Sequence, residues 1–268
     1  MNCQEHDISS LWHDRFKEQL AWTSVTRDFI YRKLKFASRS SFLEIGCGTG
    51  ALSEEIIARF VVPARRRGQG TTFVGIDHAS EFITQCELIL GSYRDVARFQ
   101  VAEATNLPVD SESMDVVFCH YFLMWNDDQR RARIIDEARR VLVEGGWFVC
   151  FAEPDYLGWI LEPESRLKEL LMRSLMNAGG DLTSGRKLAR DLAPFAKAFV
   201  GSASTPWTSS QLREMFETEW NFYENLLAGR DEMDEAIDAI KRADLDAIDQ
   251  GVKFSFLPVF YGFGQKKA

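Results

Sequence analysis

The sequence predicts an α/β fold: a seven-stranded, largely parallel sheet with helices on both faces. Three observations predict it. Seven short apolar runs of strand length recur along the 268-residue chain. The first five alternate with helical stretches, the rhythm of a parallel sheet with crossover helices. The first run also leads directly into Glu44-Ile-Gly46-Cys-Gly48-Thr-Gly50, a glycine-rich turn from strand to helix.

The elements come in order. Residues 8–35 read as a helix, because Leu11, Trp12, Phe16, Leu20, Trp22, Val25, Phe29, Ile30 and Leu34 recur at three- and four-residue spacing. Phe42–Ile45 is a strand, 50–61 a helix and Pro63–Gly70 a loop, in which Arg65-Arg66-Arg67 is a solvated charge run. Thr72–Ile76, Ala97–Val101, Asp115–Cys119 and Trp147–Ala152 are strands, with a helix over Ser80–Leu90. Asp127 or Asp128 caps a further helix that runs to Leu142 and is stopped by Gly145-Gly146. Beyond Glu153 the rhythm changes. Pro163–Asn177 and Ser184–Lys197 are helical, Phe199–Trp207 is a strand, and Thr208-Ser-Ser-Gln211 is a capping box opening a helix to Leu227. A helix over 231–249 and a strand over Phe254–Gly264 complete the chain.

Composition narrows the function. With 46% hydrophobic residues, 20 Phe and 7 Trp, the chain can build a substantial core and is not disordered. A net charge of −8 repels phosphate backbones and anionic lipid, so nucleic acid is not the expected partner. The five cysteines are scattered, without zinc-ligand spacing, and their odd number does not suit a disulfide framework. Reduced thiols, no apolar leader and no run long enough to span a membrane make the expected location cytoplasmic.

The glycine loop carries the strongest chemical signal. Gly46, Gly48 and Gly50 let the backbone turn sharply and approach a ligand, with Cys47 between them. Glu44 at the strand end can act on a cationic group; a dinucleotide would instead place its pyrophosphate on the helix N-terminus, where an extra negative charge is unhelpful. Asp77, ending the second strand, is placed to accept hydrogen bonds from ribose hydroxyls, with His78 beside it. Gly46-x-Gly48-x-x-Ala51 also satisfies the dinucleotide pattern, so a nicotinamide oxidoreductase is the rival reading.

The stretch 42–152 resembles class I S-adenosylmethionine (SAM)-dependent methyltransferases of the small-molecule type 11 kind, similar to those of ubiquinone and menaquinone biosynthesis. The resemblance rests on five motifs in order: Glu44–Gly50, Asp77, Ala102-Glu103-Ala104-Thr-Asn-Leu107-Pro108, Ser113-Met-Asp115-Val-Val-Phe118 and Arg139-Arg-Val-Leu142-Val-Glu-Gly145-Gly146. It implies a Rossmann-like sheet and SAM as cofactor, held by Glu44, Gly46, Cys47, Gly48, Gly50, Asp77, His78, Glu103, Ala104 and Cys119. Glu103 stands where the family often has Asp, and Val143-Glu144 replaces the usual Lys-Pro. The expected organisation is a single domain over 1–268. It comprises an N-terminal helical cap (1–40), the SAM-binding core (41–153), helical lid insertions after the fifth and sixth strands (154–197 and 208–251) and closing strands (198–207 and 252–268).

The acceptor side is read from the residues just past the fourth and fifth strands. His120, next after the fourth strand, either serves as a base for a hydroxyl acceptor or packs at the strand end. Tyr121 and Trp125 behind it, and Asp155, Tyr156 and Trp159 after the fifth strand, with Glu153, are expected to line the substrate pocket. The first helix is expected to close over SAM, with Arg15, Gln19 and Trp22 as its contacts; His6 and His13 read as surface residues. The segment Cys119-His120-Tyr121-Phe122 lacks the Asn-Pro-Pro-Tyr of amino-methylating nucleic-acid enzymes. No proline precedes a cysteine, as a cytosine C5 enzyme needs, and no acidic cluster suggests a metal. A small organic acceptor is the expected partner. Protein or RNA as acceptor, and a non-catalytic SAM-binding module, are the alternatives.

Overall fold

The computed structural model describes residues 3–227 and 234–267. In chain order the first half runs α1 (Cys3–Lys33), β1 (Ser41–Ile45), α2 (Ala51–Ile56), a π-helical turn (Ile57–Val61), α3 (Val62–Arg66), β2 (Thr72–Asp77), α4 (Ser80–Ile89), β3 (Ala97–Val101), β4 (Met114–Cys119) and α5 (Asp128–Val141). The second half runs β5 (Leu142–Pro154), β6 (Ile160–Glu162), α6 (Arg166–Asn177), α7 (Ser184–Leu192), β7 (Ala196–Ser202), β8 (Trp207–Thr208), α8 (Ser209–Leu227), α9 (Asp234–Asp249), β9 (Phe254–Phe256) and β10 (Val259–Gln265).

Seven strands form one sheet in the order β3-β2-β1-β4-β5-β10-β7. The first five are mutually parallel, and β10 runs antiparallel to both β5 and β7. The order reverses between β1 and β4, which leaves a crevice at their carboxyl ends, where open α/β sheets bind ligands. Successive strand residues point to opposite faces, and both faces are buried, which explains the near-continuous apolar runs. Leu43, Val117 and Phe148 pack with Ile134, Ile135 and Ala138 of α5 on one face. On the other, Phe42, Phe118 and Phe151 pack with Ile30 of α1, the adjoining Leu34, and Leu52 and Ile56 of α2.

A second cluster lies outside this sandwich. It joins Trp159 and Leu161, Leu167, Leu170 and Leu171 of α6, Phe216 and Trp220 of α8, and Ile237 and Ile248 of α9. A three-stranded sheet, β6-β9-β8, supports it.

Several boundaries differ from the sequence expectation. The helix after the glycine loop runs on through the π turn to Arg66, so Arg65 and Arg66 end a helix; with Arg67 they are exposed. Asp127, not Asp128, caps α5, accepting a bond from Arg130 N–H. That helix stops at Val141, ahead of the glycine pair; Gly145 has φ +75° inside β5, at a shift in its register with β4. The run 254–264 is broken at Leu257-Pro258: β9 joins the small sheet and only β10 joins the large one. β7 starts earlier and ends earlier than expected, and α7 ends at Leu192. Residues 231–233 of the expected last helix lie outside the described residues.

One correction concerns the insertion 154–197. Leu188 and Leu192 of α7 are buried in the sheet's core together with Phe148 and Phe195, so α7 covers the sheet and is no part of a lid. Arg131 of α5 is buried and fixes it there, bonding Ser184 Oγ at 2.6 Å and pairing with Asp191.

Candidate active site

At the carboxyl end of β1 the chain turns through Gly46 (φ +71°) and Gly48 (φ +52°), a backbone region that L side chains avoid. Space enforces the same choice. A Cβ on Gly46 would overlap the Phe122 ring, and one on Gly48 would lie 2.7 Å from Phe16. The N–H groups of Gly46 and Cys47 both donate to Ile76 C=O, at 2.8 and 2.9 Å. This ties the loop to β2. Glu44 is buried and accepts a bond from Ser53 Oγ at 2.5 Å; burial pushes its carboxyl up to about 8. Asp77 Oδ2 accepts from Gly48 N–H and Oδ1 from Ala79 N–H, each at 3.0 Å.

A cavity of about 500 Å³ opens above this loop, within the range of about 300–1,000 Å³ usual for small-molecule sites. Glu44, Gly46, Cys47, Gly48, Asp77, His78, Glu103 and Ala104 of the expected cofactor residues line it. Gly50 does not line the cavity; it is the N-cap of α2, and a Cβ there would meet Cys86 Sγ at 2.6 Å. Glu103 is exposed and pairs with Arg130 at 2.8 Å. Cys119 does not reach the cavity. Its place in β4 sends it to the same face as Val117, into the core, in register with Cys150. Trp125, expected in the acceptor pocket, lines this cavity instead.

His120 also lines it, in a defined state. Burial, with the Arg27 guanidinium nearby, holds the ring well below the usual histidine range, so the imidazole is neutral. Nε2 lies 3.2 Å from Thr23 Oγ1. Arg27 donates to that hydroxyl at 2.6 Å, and the hydroxyl's own proton goes to Gln19 C=O at 3.0 Å. The Thr23 hydroxyl thus links the Arg27 guanidinium to the His120 ring. Tyr121 comes next with φ +50°, a strained conformation for a tyrosine, held by its N–H bond to Ala152 C=O at 2.8 Å.

A second cavity, of about 140 Å³, lies between the outer cluster and α1. Tyr121, Tyr156 and Trp159 line it, as do Arg15, Gln19 and Trp22 of α1. Arg15, Gln19, Tyr121 and Tyr156 border both cavities and form the junction between them. Asp155 and Glu153 are elsewhere. Asp155 is engaged by Arg186 through both oxygens, at 2.5 and 2.7 Å, and accepts from Gly158 N–H. Glu153 is fully buried between Leu123 N–H and Ser184 Oγ, and its carboxyl is pushed up by burial to about 7. His13 is not a free surface residue: Nδ1 lies 2.7 Å from Thr49 Oγ1 in the glycine loop. His6 lies outside the residues whose side chains are described. Sequence reasoning missed Phe16, Phe82 and Arg130 on the cofactor side and Glu219 and Tyr223 on the other. Only the helical spacing of Phe16 with Trp12 and Gln19 hinted at one of them.

Residues 43–150 match the family model of a methyltransferase domain. Fold, glycine loop and match agree over this stretch, which is similar to the methyltransferase domain family. The match decides between the two readings of the glycine loop, against the dinucleotide one. The chain is 30% identical over 129 residues to an uncharacterized methyltransferase of Schizosaccharomyces pombe, covering 47% of this chain and 44% of that one. It is 33% identical over 109 residues to the malonyl-[acyl-carrier protein] O-methyltransferase of Hahella chejuensis, covering 40% and 34%. The chain thus matches less than half the length of these curated relatives. Among solved structures it resembles geranyl diphosphate C-methyltransferase from Streptomyces coelicolor A3(2), with a TM-score of 0.53 and 15% identity, over 90% of this chain and 76% of that one. Among the described residues no helix is long and apolar enough to cross a membrane, and no cluster of His, Cys, Asp and Glu suits a metal ion.

Proposed function

We propose that the chain is a SAM-dependent methyltransferase that methylates a small organic acceptor, working in the cytoplasm with its buried cysteines reduced. The carrying observation is the pair of adjoining cavities, one over the glycine loop and one under the outer helical cluster, sharing Arg15, Gln19, Tyr121 and Tyr156.

The residues of the larger cavity fit the cofactor. Glu44 and Asp77 are carboxyl groups on its wall, whereas Arg130 is neutralised by Glu103 and Arg15 by Glu219, so the wall favours a cation. Gly46 and Gly48 admit close approach of the methionine part, Asp77 suits the ribose, and Ala104 with Glu103 lies where the adenine is expected. The cofactor supplies a methyl group already activated on a sulfonium. The chain's share of the work is to place the acceptor and exclude water. A neutral His120 keeps one unprotonated ring nitrogen and can take the proton from a hydroxyl acceptor. The outer layer of α6, α8 and α9 acts as the roof of the acceptor site in this reading.

Calorimetry with SAM, S-adenosylhomocysteine and NADH tests the cofactor side. SAM and S-adenosylhomocysteine are expected to bind and NADH not. Methyl incorporation from labelled SAM in metabolite extracts, followed by mass spectrometry, tests the acceptor class. Label found only in protein or RNA would overturn the small-molecule reading.

A further inference from the structure

The smaller cavity holds four charged side chains, and each is neutralised by another. Arg15 pairs with Glu219, and Lys253 pairs with Asp244. All four side chains are at least nine-tenths buried. Arg15 Nη1 also bonds Glu18, at 3.3 Å, and each of the two cavity carboxylates carries a second bond. Glu219 accepts from Tyr223 Oη, and Asp244 accepts from Trp220 Nε1 at 3.1 Å. The Arg15 guanidinium is flanked by Trp22 and Phe222, 4.5 and 4.6 Å from their ring centres. Trp159 Nε1 donates to Ser255 Oγ at 2.9 Å, so this indole too is spent.

An anionic acceptor would need a free cation here. Taking Arg15 or Lys253 would strand a buried carboxylate, which is strongly disfavoured. A cationic acceptor meets the converse obstacle. What the wall offers freely is aromatic surface, from Trp22, Trp159, Trp207, Trp220, Phe216 and Phe222. The volume, about 140 Å³, sets the size: a dry apolar cavity of about 150 Å³ holds a benzene. The polar rim is the junction, where Tyr121 and Tyr156 keep their protons because burial raises both phenols.

From this we infer that the acceptor is an uncharged molecule with a single aromatic ring and one hydroxyl, and that Glu219 sets this specificity by holding Arg15. The inference rests on the methyltransferase reading. The ring lies among the tryptophans and the hydroxyl points to the junction, toward the cofactor cavity. The acceptor class thereby differs from the diphosphate named for the Streptomyces enzyme.

The test is calorimetry on protein saturated with S-adenosylhomocysteine, using 4-ethylphenol, benzoate and phenyl phosphate as probes. The expected result is that 4-ethylphenol binds at least about tenfold more tightly than either anion. Glu219→Gln, which leaves Arg15 with only the less buried Glu18 at 3.3 Å, should tighten benzoate by about tenfold or more and leave S-adenosylhomocysteine binding in place. Should that variant not fold, the double variant R15M/E219L removes the pair altogether and should still reject benzoate. Benzoate binding the native protein as tightly as 4-ethylphenol would overturn the inference. So would 4-ethylphenol failing to bind while S-adenosylhomocysteine binds, or benzoate binding gained in the double variant. Absence of S-adenosylhomocysteine binding would instead overturn the methyltransferase reading on which the inference rests.

Discussion

The Gly48 N–H donates to Asp77 Oδ2 at 3.0 Å, so the carboxylate at the end of β2 holds the glycine loop of β1 in place. Asp77→Ala removes that bond and, in the proposed reading, the ribose partner. It is expected to weaken SAM by about 1.5–3 kcal/mol, the scale of losing hydrogen bonds to a charged group. The fold should persist, since Asp77 ends its strand at the cavity wall. Calorimetry with the variant checks this; unchanged affinity would locate the ribose elsewhere.

Glu44 ties binding and stability to pH. Its carboxyl is pushed up to about 8 by burial, against an ordinary value of 4.5, so the folded chain holds a proton that the unfolded chain releases. The stability it contributes is therefore fully present below about pH 4.5 and is lost as pH rises through about 8. The loss is on the order of a few kcal/mol. Denaturant titrations of Glu44→Gln should show a shallower fall over this window. SAM affinity of the native chain should rise with pH toward about 8, because a bound cation favours the carboxylate. A pH-independent affinity would remove Glu44 from contact with the cofactor's charge.

His120→Ala is expected to lower kcat about 100-fold, the lower end for losing a general base, with little change in S-adenosylhomocysteine affinity. Because the imidazole of His120 stays neutral well below its ordinary range, kcat should show no acid limb near pH 6.5. Arg27→Met removes the neighbouring cation that helps hold it down, and should move the acid limb upward. Equal kcat in His120→Ala and the native chain would make this histidine a packing residue.

Gly46→Ala forces an alanine into φ +71° and a Cβ against the Phe122 ring. The left-handed conformation alone costs about 1–2 kcal/mol. The variant should lose thermal stability and most SAM binding together. A stable variant with native affinity would show that the loop can relax without Phe122.

The sheet is legible in the sequence because its signal is local. Phe42–Ile45 and Thr72–Ile76 are apolar runs whose type comes from composition and neighbours alone. The glycine loop is legible for the same reason. Cys119 reads as a ligand only while its position at the strand end is weighed without the alternation of faces; counting two back to Val117 assigns it to the core. Asp155 is different in kind. Arg186, 31 residues later, captures it, and nothing in the local sequence foretells that pair. The same holds for Glu219 and Arg15, 204 residues apart, whose meeting depends on how α8 packs over α1. Leu188 and Leu192 are spaced as on any amphipathic helix, so local spacing does not reveal that α7 covers the large sheet while α6 covers the small cavity.

α1 is fastened to the sheet by Ile30 and the adjoining Leu34, while Phe16, fourteen residues before Ile30, rests on Gly48. At 1.5 Å per residue the distance between Ile30 and Phe16 is about 21 Å, which makes the helix a lever with its pivot far from its load. A tilt of about 6° at the pivot carries Phe16 about 2 Å off the loop. Gln19 borders both chambers and Trp22 the smaller one, so a rotation that opened both would also have to part Arg15 from Glu219. If the chambers serve cofactor and acceptor as proposed, one movement of α1 would serve the exchange of both.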